Sequence, residues 1–314
     1  MTENHVIFGT GPVGCWTARA LRAIDIPVRA INQSGKRPTL MPEDVEITAA
    51  DASDPNQAIG AAQGAAVVYQ ALNPPYHQWH EFFPVLQASA LAAAKATGAR
   101  YVSIENLYMY DSSKPMNEES PVRPKSKKGE LRAKMADEVM TAHSRGEVRA
   151  TALRSSDYYG PGVLGSALGE MVFGNLAAGK KAQLSGSAEM PHSWAYIEDV
   201  GRATAILGTQ DEALGKVWIA PHAAPVTQGK VVEIAAQFLD TKPQYSVLSK
   251  FMMWMGGLFI PAARASVEMM YEFTEPFIVD STKFEKTFGL GATTIEAAIK
   301  ETVDWYKNRP HYNQ

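Results

Sequence analysis

The feature that most constrains the fold is a glycine pattern near the start of the chain. Residues 9–14 fit the pattern G-x-G-x-x-G, directly after an apolar stretch at 5–8 and at the start of a helix-like stretch at 12–23. In this strand–turn–helix context the first glycine permits a tight turn, the second lets a pyrophosphate approach the backbone, and the third lets the helix pack on the strand. The pattern therefore predicts a dinucleotide-binding βαβ unit, with the phosphates at the helix N-terminus. The predicted phosphate-binding residues are Gly9, Thr10, Gly11, Pro12, Val13 and Gly14.

Strand and helix patterns then alternate along the first half of the chain. Strands are predicted at 5–8, 28–31, 45–48, 65–69, 101–104 and 148–153, and helices at 12–23, 77–96 and 127–144. This alternation predicts an α/β fold, with a doubly wound parallel (Rossmann) sheet and a smaller mixed C-terminal lobe; the family resemblance given below implies about seven strands and a substrate-binding role for that lobe. The first domain is placed at 1–162 with returning segments near 194–222, and the lobe at 163–193 and 223–314. In this second half, helices are predicted at 166–178, 197–207, 228–239 and 251–271, and extended segments at 217–220 and 277–279.

The end of the second strand bears on the choice of cofactor. An NAD site usually has an acidic residue there for the ribose hydroxyl, whereas this chain has Asn32, followed by Ser34, Lys36 and Arg37. Without a carboxylate, the serine and two cations are able to bind a 2′-phosphate, so NADP(H) is favoured over NAD(H). The alternative is that the two cations belong to a solvated turn. Further cofactor contacts are expected from Asp51, Ala52 and Ala71 at the ends of the next two strands.

Composition limits the classes of partner and metal. The chain has 314 residues, is 46% apolar and 20% charged, and has a net charge of −3, so neither a nucleic acid nor a membrane partner is expected, and a small-molecule substrate is. The single cysteine, Cys15, excludes an intrachain disulfide, and His77 and His80 lack a third ligand, so no metal is expected. Without a signal-peptide pattern, a cytoplasmic location is expected. The apolar run beginning at Phe251 is shorter than the roughly 20 residues of a spanning helix, and it favours either core packing or an apolar pocket.

Three later segments carry a resemblance to a known family. Residues 153–162 read LRSSDYYGPG, residues 192–200 read HSWAYIEDV, and residues 276–284 read PFIVDSTKF, with TVDWY following at 302–306. Together with the glycine loop, they resemble the extended short-chain dehydrogenase/reductase superfamily, which includes sugar-nucleotide epimerases and dehydratases. The resemblance implies a seven-stranded cofactor domain, a catalytic Ser or Thr, a Tyr-x-x-x-Lys pair on the active-site helix and, for many members, a homodimer.

The chain departs from this family at the catalytic positions. Alignment places Asn106 at the serine, Lys128 at the tyrosine and Arg132 at the lysine. The single Tyr-x-x-x-Lys spacing, Tyr110 to Lys114, lies in a loop-like segment and is interpreted as chance. The replacement candidates are Lys128 as proton donor and ribose ligand beside Arg132, Asn106 as hydrogen-bond donor to a carbonyl, and Tyr108 or Tyr110 as the phenol. The alternative for Lys128 and Arg132 is an ordinary basic helix start.

Remaining candidates follow strands four and six. Ser155 is expected to contact the cofactor. The predicted substrate contacts are Asn73, Tyr76, Asp157, Tyr158, His192 and Trp194. His192 stands where the family often has a phosphate-binding arginine, which argues against a nucleotide-sugar substrate.

These features predict an NADP(H)-binding oxidoreductase that reduces a carbonyl or enone of a small apolar molecule. Two alternatives remain open. The first is a catalytically silent NAD(P)-binding sensor, and the second is a sugar epimerase or dehydratase.

Overall fold

The computed structural model describes residues 4–309 as an α/β protein. Its strands are β1 (Asn4–Phe8), β2 (Val28–Asn32), β3 (Glu46–Ala49), β4 (Ala65–Gln70), β5 (Arg100–Asn106), β6 (Arg149–Ser155), β7 (Tyr158–Tyr159), β8 (Ala182–Ser185), β9 (Pro191–His192), β10 (Ala195–Tyr196), β11 (Val217–Ile219), β12 (Val226–Thr227) and β13 (Tyr245–Leu248). Its α-helices are α1 (Pro12–Arg22), α2 (Pro55–Ala61), α3 (Trp79–Thr97), α4 (Lys127–Ser144), α5 (Asn175–Ala177), α6 (Ile197–Thr209), α7 (Gln228–Phe238), α8 (Lys250–Gly256), α9 (Pro261–Ser266), α10 (Tyr271–Thr274), α11 (Thr282–Phe288) and α12 (Ile295–Asn308).

Seven of these strands form one parallel sheet, in the order β11-β6-β5-β4-β1-β2-β3. The predicted doubly wound sheet is thereby confirmed. The strand order reverses between β1 and β4, and in such sheets a ligand binds at the carboxyl ends of the strands beside that reversal. The loops after β1, β4, β5 and β6 consequently share one edge of the sheet.

Alternation along the central strand β1 divides the core into two layers. Ile7 faces the layer built by α1 and α6, which also contains Trp218 of β11. Val6 and Phe8 point to the opposite face, against alanines of α2 and α3 and Val139 of α4. Because side chains alternate in a strand, one short apolar stretch is able to anchor both layers.

The C-terminal lobe has its own core and three two-stranded sheets. β7 pairs with β10, β8 with β13, and β9 with β12. Its buried cluster joins aromatic residues such as Tyr159 and Phe173 to aliphatic residues of α7 and α12. β11, although late in the chain, returns to the edge of the main sheet beside β6.

Several predicted elements differ from the observed ones. The helix expected at 251–271 is broken into α8, α9, a 3₁₀ turn and α10. A Cβ on Gly257 would lie 2.7 Å from the Cα of Arg264, so the chain folds back on itself there, and Pro261 starts the next helix. The segment expected to be extended at 277–279 makes isolated β-bridges through Phe277 and Val279.

Smaller differences occur at helix starts. The helix expected from residue 77 begins as a 3₁₀ turn, Tyr76–Gln78, before α3, and the one expected at 166–178 begins with a π-helical turn at Gly169–Gly174. The sequence analysis did not identify α2. Its signal was present, because the Asp54 side chain caps the helix by accepting from the Asn56 N–H at 2.9 Å, and Pro55 opens it.

Candidate active site

The glycine loop has the geometry that its pattern predicts. Gly9 has φ +104°, and a Cβ there would lie 2.7 Å from the carbonyl oxygen of Ala71. A Cβ on Gly14 would lie 2.0 Å from the carbonyl oxygen of Gly9, which makes this glycine the contact between α1 and the β1 loop. Gly11 is different, because it caps α1 and nothing lies within 4 Å of its Cβ position. Open space above the N–H groups of a helix start fits a pyrophosphate.

Asn32 organises the turn that follows β2. Its side-chain amide donates to the Thr10 hydroxyl and to the Lys36 carbonyl, both at 2.9 Å, and its Oδ1 accepts from the Gly35 N–H at 2.7 Å. The Ser34 hydroxyl joins the same turn by donating to Asn32 Oδ1 at 3.3 Å. Asn32 therefore ties the second strand to the glycine loop.

The two cations of this turn are placed differently. The Arg37 guanidinium donates to the carbonyls of Pro42, at 2.5 Å, and of Val45, at 2.6 Å, so it closes the 37–45 loop. Lys36 is exposed beside the glycine loop. Of the predicted pair, Arg37 is thus engaged by backbone carbonyls, and Lys36 remains the candidate for a ligand phosphate.

The expected contacts after β3 and β4 line the same edge. Asp51 accepts from the N–H and the hydroxyl of Ser53, and these bonds lower the pKa of its carboxyl. Ala52 is buried in the core, whereas Ala71 lies against Gly9 and Asn73 is exposed. His77 and His80 are both exposed, and residues 4–309 contain no group of three or more His, Cys, Asp or Glu side chains arranged to hold a metal.

Two tyrosines meet behind this edge. The Tyr76 hydroxyl donates to the Tyr108 hydroxyl at 2.8 Å, and Trp79 stacks on Tyr108 with ring centroids 6.1 Å apart. Burial raises the pKa of both phenols well above the ordinary value of 10, and the nearby Glu272 carboxyl raises them further. Both side chains are therefore neutral phenols at physiological pH.

The alternative phenol, Tyr110, is occupied elsewhere. Its hydroxyl accepts a hydrogen bond from Arg154, whose Nε donates to Glu105 at 2.8 Å in a buried ion pair. Asn106 accepts from the Tyr108 N–H at 3.3 Å and so shapes the turn that presents Tyr108.

Lys128 and Arg132 are both buried, and each has contacts of its own. The Lys128 ammonium donates to Glu268 at 2.7 Å and to the Ala265 carbonyl at 2.8 Å, far along the chain. The Arg132 guanidinium lies over the ring of Phe83 at 4.5 Å, and burial lowers its pKa. The sequence analysis expected Lys128 to be a proton donor and ribose ligand beside Arg132. In the structure its ammonium is paired with Glu268 and lies 5.0 Å from the centroid of the Tyr76 ring.

His192 is the centre of a second buried group. Its Nε2 lies 3.1 Å from both Asp157 Oδ2 and the Ser156 hydroxyl, and its Nδ1 lies 3.1 Å from the Glu272 carbonyl oxygen. Trp194 stacks on the imidazole with centroids 3.9 Å apart. The predicted residues Asp157, His192 and Trp194 are thus brought together.

Ser155 lies at the end of β6, and Tyr158 begins the short strand β7 that follows it. Ser155 is the last residue of β6 and pairs in register with Asn106 of β5, which brings these two candidates side by side. Burial raises the pKa of the Tyr158 phenol.

Glu272 is the residue that the sequence analysis missed. It is 1% exposed, its Oε1 makes no hydrogen bond within residues 4–309, and burial together with Asp157 raises its pKa well above 4.5. This environment disfavours the charged carboxylate relative to the protonated acid. It lies in a helix of four residues late in the chain, and no spacing pattern links it to the earlier site residues.

One expected feature of the site is wrong. The segment 251–270 was expected to line an apolar pocket or to pack in the core. Instead Phe251, Trp254 and Phe259 are among seven large apolar side chains of this segment that are exposed, and only Met269 and Met270 at its end are buried. No helix within residues 4–309 is long and apolar enough to cross a bilayer.

A model of the NAD-dependent epimerase/dehydratase family matches residues 6–219 of the chain. The chain belongs to this family. Among curated proteins, no sequence match was found. The match covers the whole parallel sheet, from β1 to β11.

Solved structures of similar proteins share the fold across almost the whole length. A dTDP-glucose 4,6-dehydratase from Bacillus anthracis, in complex with NAD, has a TM-score of 0.79 at 14% identity, with 97% of this chain and 96% of that chain covered. A UDP-galactose 4-epimerase has a TM-score of 0.73 at 18% identity, over 96% and 98%. A UDP-glucuronic acid 4-epimerase from Bacillus cereus, in complex with UDP-glucuronic acid and NAD, has a TM-score of 0.78 at 16% identity, over 97% and 99%. At these identities the likeness shows a common fold.

The positions that the resemblance assigns to the catalytic pair carry other side chains in this chain. Where the resemblance places Tyr and Lys on the active-site helix, Lys128 and Arg132 are held by Glu268 and by Phe83. The phenols that lie at the carboxyl edge of the sheet come instead from Tyr76 and Tyr108.

Proposed function

We propose that this protein is a nicotinamide-dinucleotide-dependent oxidoreductase that reduces a carbonyl or enone of a small apolar molecule. The observation that carries the proposal is the hydrogen-bonded Tyr76–Tyr108 pair, with Tyr108 buried and Tyr76 partly buried, at the sheet edge that also holds the glycine loop. A bound nicotinamide dinucleotide would supply the hydride, and the open space at Gly11 fits its pyrophosphate.

The protonation state of the phenols favours reduction. In the family chemistry a lysine lowers the pKa of the tyrosine, so that tyrosinate is able to accept a proton from an alcohol. Here the pKa of Tyr108 is raised by burial and by Glu272, and Lys128 is paired with Glu268. A neutral phenol donates a proton to a developing alkoxide, and Tyr76 stabilises the remaining phenolate by donating to it.

The charges near the site favour a substrate without a diphosphate. Arg154 is paired with Glu105, Arg132 is buried against Phe83, and the arginine expected by resemblance is replaced by His192, which lies beside Asp157. A diphosphate placed near Asp157 and Glu272 would meet negative charge or protonated acids in place of guanidinium groups.

A second candidate is an epimerase or dehydratase, and the family match and the compared structures favour it. In that case the dinucleotide is regenerated in each turnover, and no net oxidation of reduced cofactor is seen. A cofactor-binding sensor without turnover is the third. The three candidates differ in whether the absorbance of the reduced cofactor changes and whether a substrate is converted.

The test uses purified protein, NADPH and NADH, and a panel of aldehydes, ketones, enones and quinones. We expect loss of absorbance of the reduced cofactor with at least one carbonyl substrate. Tyr108→Phe should lower kcat by about 10²- to 10⁴-fold, the range for a lost general acid, with cofactor affinity unchanged. Tyr245→Phe, which removes an exposed hydroxyl on β13, is the matched control.

Other outcomes would decide against reduction. Conversion of a sugar nucleotide without net change in reduced cofactor would establish the second candidate. Tight dinucleotide binding with no turnover on any substrate would establish the sensor. A Tyr108→Phe variant with full activity would refute the proton-donor role.

We also propose a preference for NADP(H), resting on exposed Lys36 and on the absence of an acidic side chain at Asn32. Lys36→Ala should weaken NADPH binding and leave NADH binding unchanged. Arg37→Ala should instead loosen the 37–45 loop, because its guanidinium holds two carbonyls there. Equal affinity of the wild-type protein for both cofactors would refute the preference.

A further inference from the structure

The helices α8 and α9 and the turn between them form an exposed apolar cap, defined as residues 250–266. Seven large apolar side chains of the cap are between 48% and 88% exposed. They are Phe251, Met252, Trp254, Met255, Leu258, Phe259 and Ile260. A contiguous exposed patch of this kind marks an interaction site rather than ordinary scattered surface residues.

The apolar side chains face outward because the cap is anchored on its other side. The Ala265 carbonyl accepts from Lys128 at 2.8 Å, and Glu268, just after the cap, accepts from Lys128 and from the Lys127 N–H. Within the cap, Gly257 packs directly against Arg264. The patch is therefore held in place by buried contacts on the body.

The charged side chains of residues 241–267 have one sign. Lys242, Lys250 and Arg264 are exposed, and residues 241–267 contain no Asp or Glu. The chain as a whole is acidic, with a net charge of −3, so positive charge is concentrated on this segment. The combination of apolar, aromatic and basic side chains is typical of segments that lie in a membrane interface.

We propose that the cap binds the surface of a lipid bilayer that contains anionic lipids. Trp254, Leu258 and Phe259 enter the boundary between headgroups and acyl chains, while Lys250 and Arg264 lie at the level of the lipid phosphates. Both helices are too short to span, at seven and six residues, so the cap lies on the bilayer. The sequence analysis expected no membrane partner, because the overall composition averages over this segment.

Charge also disfavours a second copy of the chain as the occupant. A two-fold symmetric contact places the same patch of one copy against that of the other. The cations of one cap would then face those of its partner, and no acidic residue in 241–267 would compensate them. Anionic lipid headgroups neutralise the same cations.

The test is sedimentation of the full-length protein with vesicles of phosphatidylcholine alone or of phosphatidylcholine with 30 mol% phosphatidylglycerol, about one-third anionic as a mimic of a charged leaflet. We expect binding to the anionic vesicles that weakens with salt. The variant Trp254→Ser/Phe259→Ser should reduce the bound fraction at least about tenfold, in keeping with the apolar area removed. Lys250→Glu should weaken binding to anionic vesicles.

The matched control is Ile24→Ser, which removes a 57% exposed apolar side chain outside the cap and should bind vesicles as the wild type does. Circular dichroism and dinucleotide affinity check that each variant is folded, and they do so independently of any substrate. Failure of the wild type to sediment with either vesicle would overturn the proposal. So would a wild-type dimer that Trp254→Ser/Phe259→Ser converts to a monomer, because the cap would then bind another copy.

Discussion

Gly11→Ala separates the folding role of the glycine loop from its binding role. The backbone of Gly11 has φ −69°, which any residue adopts, and nothing lies within 4 Å of the Cβ position. The new methyl group therefore causes no clash in the free protein. It does project into the space above the start of α1, where the pyrophosphate has to approach the backbone.

The size of the effect follows from these two facts. Alanine at an unstrained glycine position stabilises a protein by about 0.4–1 kcal/mol, because it restricts the unfolded chain. At the N-cap of α1 this gain is offset because alanine caps a helix less well than glycine, so the stability of the free protein should change by less than about 1 kcal/mol. Displacing the pyrophosphate from its N–H donors should weaken dinucleotide binding at least about tenfold, which corresponds to about 1.4 kcal/mol. Urea unfolding of the free protein and calorimetric titration with NADPH measure the two quantities separately.

Two further glycines serve as controls. Gly60→Ala lies in α2, also with nothing within 4 Å of its Cβ, so it should stabilise the protein without changing cofactor affinity. Gly14→Ala places a methyl 2.0 Å from the Gly9 carbonyl oxygen and should destabilise the free protein by about 1–3 kcal/mol. If Gly11→Ala binds NADPH as tightly as Gly60→Ala does, the pyrophosphate does not lie at this loop.

Three predictions concern buried polar groups. Glu105→Gln leaves the Arg154 guanidinium as an uncompensated buried charge and should cost about 3–5 kcal/mol in urea unfolding; a loss below about 1 kcal/mol would contradict the buried pair. Burial lowers the pKa of His222 to about 4. As the pH falls from 6.5 toward 4, the unfolded chain binds a proton at this imidazole and the folded protein does not, so the free energy of unfolding falls by about 3 kcal/mol in all. The stability of His222→Gln should fall less over the same pH range. The pKa of Glu272 is raised, so its stabilising contribution is full below about pH 4.5 and declines as the pH rises above it. Glu272→Gln should therefore gain stability relative to the wild type between pH 5 and pH 8. A stability difference between the two proteins that stays constant over this pH range would contradict the raised pKa.

The parallel sheet was predictable because its signals are local. Short apolar strands, the glycine loop and the helix periodicity each depend on residues that are neighbours in sequence. Val217–Ile219 was correctly expected to be extended, although its place at the edge of the sheet depends on pairing with β6. The end-to-end resemblance supplied the family, which the match to residues 6–219 confirms.

The partners of the candidate site residues were not predictable in the same way. Lys128 was considered with its helix neighbour Arg132, yet its carboxylate is Glu268, 140 residues further along the chain. The choice between Tyr108 and Tyr110 was open in the sequence, and the proposal takes Tyr108 because Arg154 holds the Tyr110 hydroxyl. Such contacts arise only when distant segments pack, and single-sequence patterns do not contain them.

The cap shows why an apolar run alone does not identify a buried segment. The residues from Phe251 onward are as apolar as a core helix, and the sequence analysis assigned them to core or pocket. Two local signals pointed elsewhere: the Gly256–Gly257 pair and Pro261 break the helix, and the segment 241–267, with cations at 242, 250 and 264, contains no acidic residue. Hydrophobicity predicts that a side chain is removed from water. The helix breaks and the cations indicate which environment surrounds it instead. For this segment the replacement fits a lipid surface better than the interior of the protein.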